Sequence, residues 1–383
     1  MKYLLCLLLF SFTGLQSRAQ YQVTFRLINF PKQHSGDSIF IAGNFNSWNP
    51  HNISYLISPM APVIKTTLPA GLYEFRCTRG SWKAPESHSD GGNMDSRLLQ
   101  LSSDTLIELN IEGWKDDFGE VAKMHTASPQ VQLLDTAFYI PQLDRSRRIW
   151  IYLPEGYTKS KKRYPVLYMH DGQNLFDEYT AGYGEWGVDE CLDSLIKSGR
   201  PASIVVGIAN GPKRFNEYNP YDFAQFGKGE GDKYIDFIAE TLKPFIDKNY
   251  RTLPSKENTL IAGSSMGGLI SYYAMLKRPD VFGRAGVFSP AFWTASEIKA
   301  ATDSLGGNLT GKLFFYMGGL EGGSYIDDMK QVQEKLGERS TAMLYSVIDP
   351  ASRHNEQAWR KWFAEFYNWI MADGFNFVIQ PSR

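Results

Sequence analysis

The sequence predicts an all-β module followed by a larger α/β domain, and three observations carry that prediction. From Gln20 to about Trp114, short alternating runs are separated by turn-rich pieces without helical periodicity. From Val131 onward, strand-like and helix-like segments alternate, the pattern of an α/β sheet. Between one such strand and one such helix lies Gly263-Ser264-Ser265-Met266-Gly267, a Gly-x-Ser-x-Gly sequence in the strand–turn–helix context of an α/β-hydrolase nucleophile elbow.

The chain begins with Lys2, an apolar run from Leu4 to Phe12 too short to span a bilayer, and Ser17-Arg18-Ala19, which resembles a signal-peptidase site. Residues 1–19 therefore read as a signal peptide, with a mature chain starting at Gln20 that is secreted or periplasmic. No later stretch is long and apolar enough to predict a membrane span. The 383 residues carry a formal net charge of −1, which gives no electrostatic case for nucleic acid or an anionic membrane as partner. Cys6 leaves with the leader, and Cys77 and Cys191 read as two buried free thiols rather than a disulfide. No Cys/His spacing suggests a metal site, and nothing in the sequence calls for a cofactor.

Residues 20–114 read as a β-sandwich, immunoglobulin-like in size, with strands at Tyr21–Phe25, Ser38–Ala42, Gly71–Arg76 and Leu106–Ile111. Residues 115–130 are polar and aperiodic and read as a linker. Within 131–383 the strands are Arg148–Leu153, Val166–Met169, Ser203–Ile208, Thr259–Ala262, Leu313–Met317 and Ala342–Ile348. Ile235, Ile238, Leu242, Phe245 and Ile246 give helical spacing over Asp232–Lys248. Further helices are expected from Met266, through Val332 and Leu336, and over Glu356–Ile370.

The chemistry follows from the elbow. So sharp a turn leaves no room for side chains two residues either side of Ser265, which Gly263 and Gly267 supply. A serine hydroxyl needs a base, and of the six histidines only His354 follows Ser265, after the last strand and before the last helix, where the order Ser–acid–His places it. The acid is expected after the penultimate strand, which selects Glu321; Asp327, Asp328 and Asp349 are rivals, and a Ser–His dyad is the alternative. The oxyanion hole needs two amides, expected from Met266 and, in the His170–Asn174 loop, from Gln173. Trp186, Tyr218 and Trp293, near predicted strand ends, are candidates to line the substrate pocket.

Tyr164-Pro165-Val166-Leu167-Tyr168-Met169-His170-Asp171-Gly172-Gln173-Asn174-Leu175-Phe176-Asp177, Gly184–Glu190, Ile261–Leu269 and His354-Asn355-Glu356 together resemble the bacterial putative-esterase family, also called esterase D-like. It includes acetyl-xylan and feruloyl esterases of carbohydrate esterase family one and siderophore trilactone esterases. The resemblance implies a serine carboxylesterase with Ser265, His354 and Glu321 as triad, and no cofactor. Ala42–Pro50 is similar to glycogen-binding early-set modules, which implies sugar stacking on Trp48 and Trp82; a purely structural role for the module is the alternative. The expected substrate is an acetyl or feruloyl ester of a plant polysaccharide or oligosaccharide. The alternatives are a siderophore trilactone esterase and a non-catalytic carbohydrate-binding protein.

Overall fold

The computed structural model describes residues 19–119 and 123–372, so nearly all of residues 1–19, expected from sequence to be a signal peptide, lies outside the described residues. The chain divides into two compact units, Met1–Glu120 and Val121–Arg383.

The first unit is built from strands. Gln20–Asn29 pairs antiparallel with Val63–Pro69 and parallel with Thr105–Asn110. A second, antiparallel sheet runs in the order Leu56–Ile57, Ile39–Gly43, Gly71–Thr78, Arg97–Leu101. Val23, Phe25, Ile41, Phe75 and Leu109 alternate inward and meet Trp114 in the core. Val63–Pro69 and Arg97–Leu101 add to the strands read from sequence; the inward positions of Val63–Pro69 are Ile64, Thr66 and Leu68, and exposed Val63 beside Ile64 with threonine at 66 obscures the apolar alternation of a half-buried strand.

The second unit centres on an eight-stranded sheet. Its strands are β1 (Val131–Ile140), β2 (Arg145–Tyr152), β3 (Val166–His170), β4 (Ile204–Ile208), β5 (Thr259–Ser264), β6 (Arg284–Phe288), β7 (Lys312–Gly318) and β8 (Met343–Asp349). Their spatial order is 1-2-4-3-5-6-7-8, with β2 antiparallel to both neighbours and β3 to β8 parallel. Parallel central strands are covered on both faces, and so read as continuous apolar runs. One face packs under the helical run 231–249 and the helices Met266–Lys277, Ile298–Leu305 and Gly323–Arg339. The other packs under Val188–Lys197 and Glu356–Met371.

Several local features depart from the sequence reading, and β1, whose residues are mostly exposed or half-buried, and the helices Val188–Lys197 and Ile298–Leu305 were not among the expected elements. β6 was not expected. Its centre is Gly286, where a Cβ would lie 2.6 Å from the Phe366 ring, so the helix crossing above excludes any side chain and removes the apolar signal. The run 231–249 is not one regular α-helix: Ile238–Leu242 is a π-turn ending two residues before Pro244, whose ring would clash with a carbonyl four residues back in an unbroken helix. Phe245 within it is partly exposed and meets Phe138 edge-on rather than entering the core. The segment read as a linker is also anchored at its C-terminal end. Thr126 Oγ1 donates to Glu185 at 2.8 Å and the Ser128 amide to Asp189 at 2.6 Å.

Candidate active site

In a parallel sheet the loops leaving the strand C-termini share one edge, and ligands bind there. Asp171 follows β3, Ser265 follows β5, Ser289 follows β6, Glu321 follows β7 and His354 follows β8. The strand order, not proximity in sequence, brings these five together.

Ser265 has φ 58° and ψ −121°, a backbone state rarely tolerated by a residue with a side chain. The surrounding structure enforces it. The Ser265 amide donates to Phe288 O at 2.9 Å, and its carbonyl accepts from Ala291 and Leu269, each at 3.0 Å. A Cβ on Gly263 would lie 2.9 Å from the His170 ring and 3.0 Å from the Gly267 backbone, which explains the glycine requirement. Met266 is the first residue of the next helix, so its amide has no carbonyl partner inside that helix and is available to an anion.

His354 Nδ1 lies 2.7 Å from Glu321 Oε2. Glu321 is 2% exposed, and its second oxygen accepts from Ser289 Oγ at 2.6 Å and from the Gly318 amide at 2.7 Å. Ser289 in turn accepts from the Trp359 indole at 2.9 Å, and the Trp359 ring meets the His354 ring edge-on at 5.1 Å. Ser289 directly follows Phe288, whose carbonyl holds the Ser265 amide. An unbroken run of contacts thus joins the serine loop to the histidine. A carboxylate on Nδ1 fixes the ring orientation, leaves Nε2 as the basic nitrogen and stabilises the imidazolium. Asp349 instead accepts from Lys361, Trp362 and Ser352, while Asp328 pairs with Lys299. Although burial works against it, the hydrogen bonds from Lys361, Ser352 and Trp362 hold Asp349 well below the usual carboxylate range.

The loop after β3 places Asp171 in the left-handed region at φ 55°, then turns tightly through Gly172–Asn174. Gly172 faces the backbone of Gly207 so closely that a Cβ would lie 2.6 Å away. His170 is fully buried, and its Nδ1 lies 2.9 Å from the Tyr234 hydroxyl. Burial holds its ring down to about 3, so it is neutral and unsuited to the role of base.

The aromatic candidates separate. Trp186 is buried, stacked obliquely on Trp359 and edge-on to Phe288, and Tyr218 is wholly buried with its hydroxyl 3.4 Å from the Asp171 amide. Both support the site from within the core, a correction to their reading as pocket lining; loops at strand ends can fold inward as readily as they face a ligand. Trp293 is half-buried and belongs to a row of rings. It meets Phe223 edge-on at 5.7 Å and Tyr325 face-on at 6.0 Å, and Phe223 continues to Phe226 and Phe215. In the first unit, Trp48 and Trp82 are half-buried with centroids 6.1 Å apart, the Trp82 indole donating to Trp48 O. Cys77 and Cys191 are both free thiols, the first buried and the second only half-buried.

Ser289, Trp359, Asp171 and Arg214 were not among the residues singled out from sequence as active-site members. Only Asp171 had a signal, its place in the loop assigned to the oxyanion hole. Among the described residues, one group has the spacing to hold a metal ion: Glu185, Asp189 and Glu190. Burial pushes Asp189 up to about 7, against the pull of the Ser128 amide and with Glu190 adding to the rise. A proton there can balance the charge that a cation would otherwise balance.

Known proteins resemble this chain chiefly in its second unit. The family model described as "Putative esterase" matches residues 140–369, more than half of the chain. The uncharacterized protein YbbA of Bacillus subtilis is 27% identical over 59% of this chain and 92% of its own length. An endo-1,4-beta-xylanase/feruloyl esterase of Xylanibacter ruminicola is 33% identical over 39% of this chain, but only 20% of that protein is spanned. The iron(III) enterobactin esterase of Dickeya dadantii is 26% identical over 60% of this chain and 53% of its own. Among solved structures, the BES protein from Bacillus cereus superposes with a TM-score of 0.55 at 18% identity, covering 67% of this chain and all of that one, a likeness of fold. With a family match over most of its second unit and an α/β-hydrolase-like mixed sheet beneath a strained serine, the chain belongs to this esterase family.

Proposed function

We propose that the protein is an exported serine carboxylesterase that removes acyl groups, aromatic ones of the feruloyl type ahead of acetyl, from plant polysaccharide or its fragments. The observation that carries the substrate class is the aromatic row Phe215, Phe226, Phe223, Trp293 and Tyr325. It is tied to the catalytic loops at three points. Trp293 precedes Thr294, whose hydroxyl lies 3.5 Å from Met266 Sδ; Phe215 follows Arg214, which holds Asp171; and Tyr325 is four residues beyond Glu321. Planar rings on segments adjoining the catalytic loops offer stacking to an aryl acyl group or a sugar face.

In this reading Ser265 Oγ attacks the acyl carbonyl and its proton passes to His354. The oxyanion is held by the Met266 and Gln173 amides, and the alcohol leaves with the proton from His354. Water then repeats the steps on the acyl-enzyme. Trp48 and Trp82 give the first unit a surface to dock the polymer, in keeping with the module it resembles and the leader that implies export. A siderophore trilactone is the second reading, favoured by relatives such as the enterobactin esterase. Against it, Arg214, beside the oxyanion loop, is engaged by Asp171 rather than offered to an anionic iron chelate.

Mass spectrometry of feruloylated and acetylated xylo-oligosaccharides, beside a catecholate trilactone, tests the assignment. Acyl loss from the oligosaccharides, faster for feruloyl, is expected. No loss from either, with rapid opening of the trilactone, contradicts it.

A further inference from the structure

The loop that offers the Gln173 amide is held from one side by a largely buried clamp. The Asp171 carboxylate accepts from Arg214 through both prongs of the guanidinium, Nε to Oδ1 at 2.7 Å and Nη2 to Oδ2 at 2.8 Å, and from Asn210 Nδ2 at 2.6 Å. The Asn210 amide donates to Gln173 Oε1 at 3.2 Å, so the same segment also grips the residue whose amide is at issue. The Arg214 guanidinium lies over the Tyr218 ring, 5.2 Å from its centroid. Opposite the clamp, Gly172 is pressed on the Gly207 backbone.

A bidentate Arg–carboxylate pair fixes both the place and the plane of the carboxylate. Asp171 stands in a left-handed backbone state two residues before Gln173, so a carboxylate free to turn lets the loop relax and carries the amide with it. A buried ion pair contributes little net stability compared with apolar packing, while its geometry is specific. Oxyanion donors act only when preorganised, and small displacements cost rate rather than substrate binding.

We infer that Arg214 is a positioning residue of the oxyanion hole, acting through Asp171 and alongside Asn210 to hold the Gln173 amide where negative charge develops. The inference rests on the serine esterase reading above. It applies whether the acyl group is feruloyl or acetyl.

The test compares wild type, R214Q, R214K and N210A with p-nitrophenyl acetate, together with inhibition by phenylboronic acid, whose serine adduct is tetrahedral and places a B–O group in the oxyanion hole. Wild-type turnover with fluorophosphonate labelling of Ser265 establishes the underlying reading by itself, and failure there refutes that reading. With it established, R214Q is expected to lose roughly 10²-fold in kcat, within the range for losing one oxyanion donor. KM should stay within about twofold and the boronate inhibition constant should weaken in parallel with kcat. R214K, which keeps the charge without the fork, should remain impaired. N210A, which removes one of three donors to Asp171, should show the same pattern at about tenfold, and it covers the case in which R214Q does not fold. Wild-type kcat in either folded variant overturns the inference, as does a fall in kcat without weaker boronate binding.

Discussion

At the residue scale the site is an orientation problem, solved by hydrogen bonds to one carboxylate. Glu321 holds His354 with one oxygen and is itself held by Ser289 and the Gly318 amide through the other. E321Q keeps the shape but can present its amide N–H to the ring, so kcat should fall by about 10⁴, as for loss of the orienting acid in other triads. D349N should leave kcat nearly unchanged and cost stability instead, because Asp349 serves Lys361, Trp362 and Ser352. Steady-state kinetics beside thermal melts separate the two effects; a larger kcat loss in D349N would move the acid to Asp349. Ser265, His354 and Glu321 were legible because their positions follow from chain order and one motif. Ser289 and Trp359 were not, because only the adjacency of β6 with β5 and β7, and the packing of the last helix over it, bring them in. Trp186 and Tyr218 were misplaced because aromatic composition in a loop does not say which way the ring points.

At the scale of elements, strong apolar periodicity was readable and glycine-interrupted structure was not. β3, β4, β5 and β7 announce themselves as buried runs, whereas β6 hides behind Gly286. G286A brings a methyl to 2.6 Å from Phe366 and 3.0 Å from the Ala262 Cβ, so overpacking should cost about 1–3 kcal/mol in a urea titration, partly recovered by adding F366L. An unchanged midpoint would mean that the last helix can lift off this strand at no cost. The helix Val188–Lys197 carries a pH-linked element in its first turn. Asp189 titrates at 3.8 in the ordinary case and is pushed by burial up to about 7 in the fold. Between those values the native state binds the extra proton, so this group's contribution to stability is greatest in acid, falls as pH rises through that window and stays lost above it. D189N removes that loss. Its melting temperature should exceed wild type by a few degrees at pH 8 and show no such gain at pH 4; an equal gain at both would refute the linkage.

For the whole molecule, the division into a strand-built unit and a mixed-sheet unit is visible in a change of periodicity from 2 to 3.6 along the chain. The order of residues 126–128 within the second unit was underestimated, since Thr126 and Ser128 use short polar side chains and backbone to reach buried carboxylates. Composition sees such residues as solvent-facing. Substrate class was the least legible, because the rings proposed to set it come from segments far apart in the sequence, the Phe215–Phe226 stretch, Trp293 and the helix carrying Tyr325. The family carries one chemistry over unlike esters, as relatives on both xylan and siderophore sides illustrate. The central claim is that Ser265, strained at the elbow, is the nucleophile. Peptide mapping after reaction with a fluorophosphonate tests it most directly. A single adduct on the peptide carrying Ser265, absent from S265A together with esterase turnover, is the result predicted here; an adduct on another serine, or labelling and turnover that persist in S265A, would contradict it.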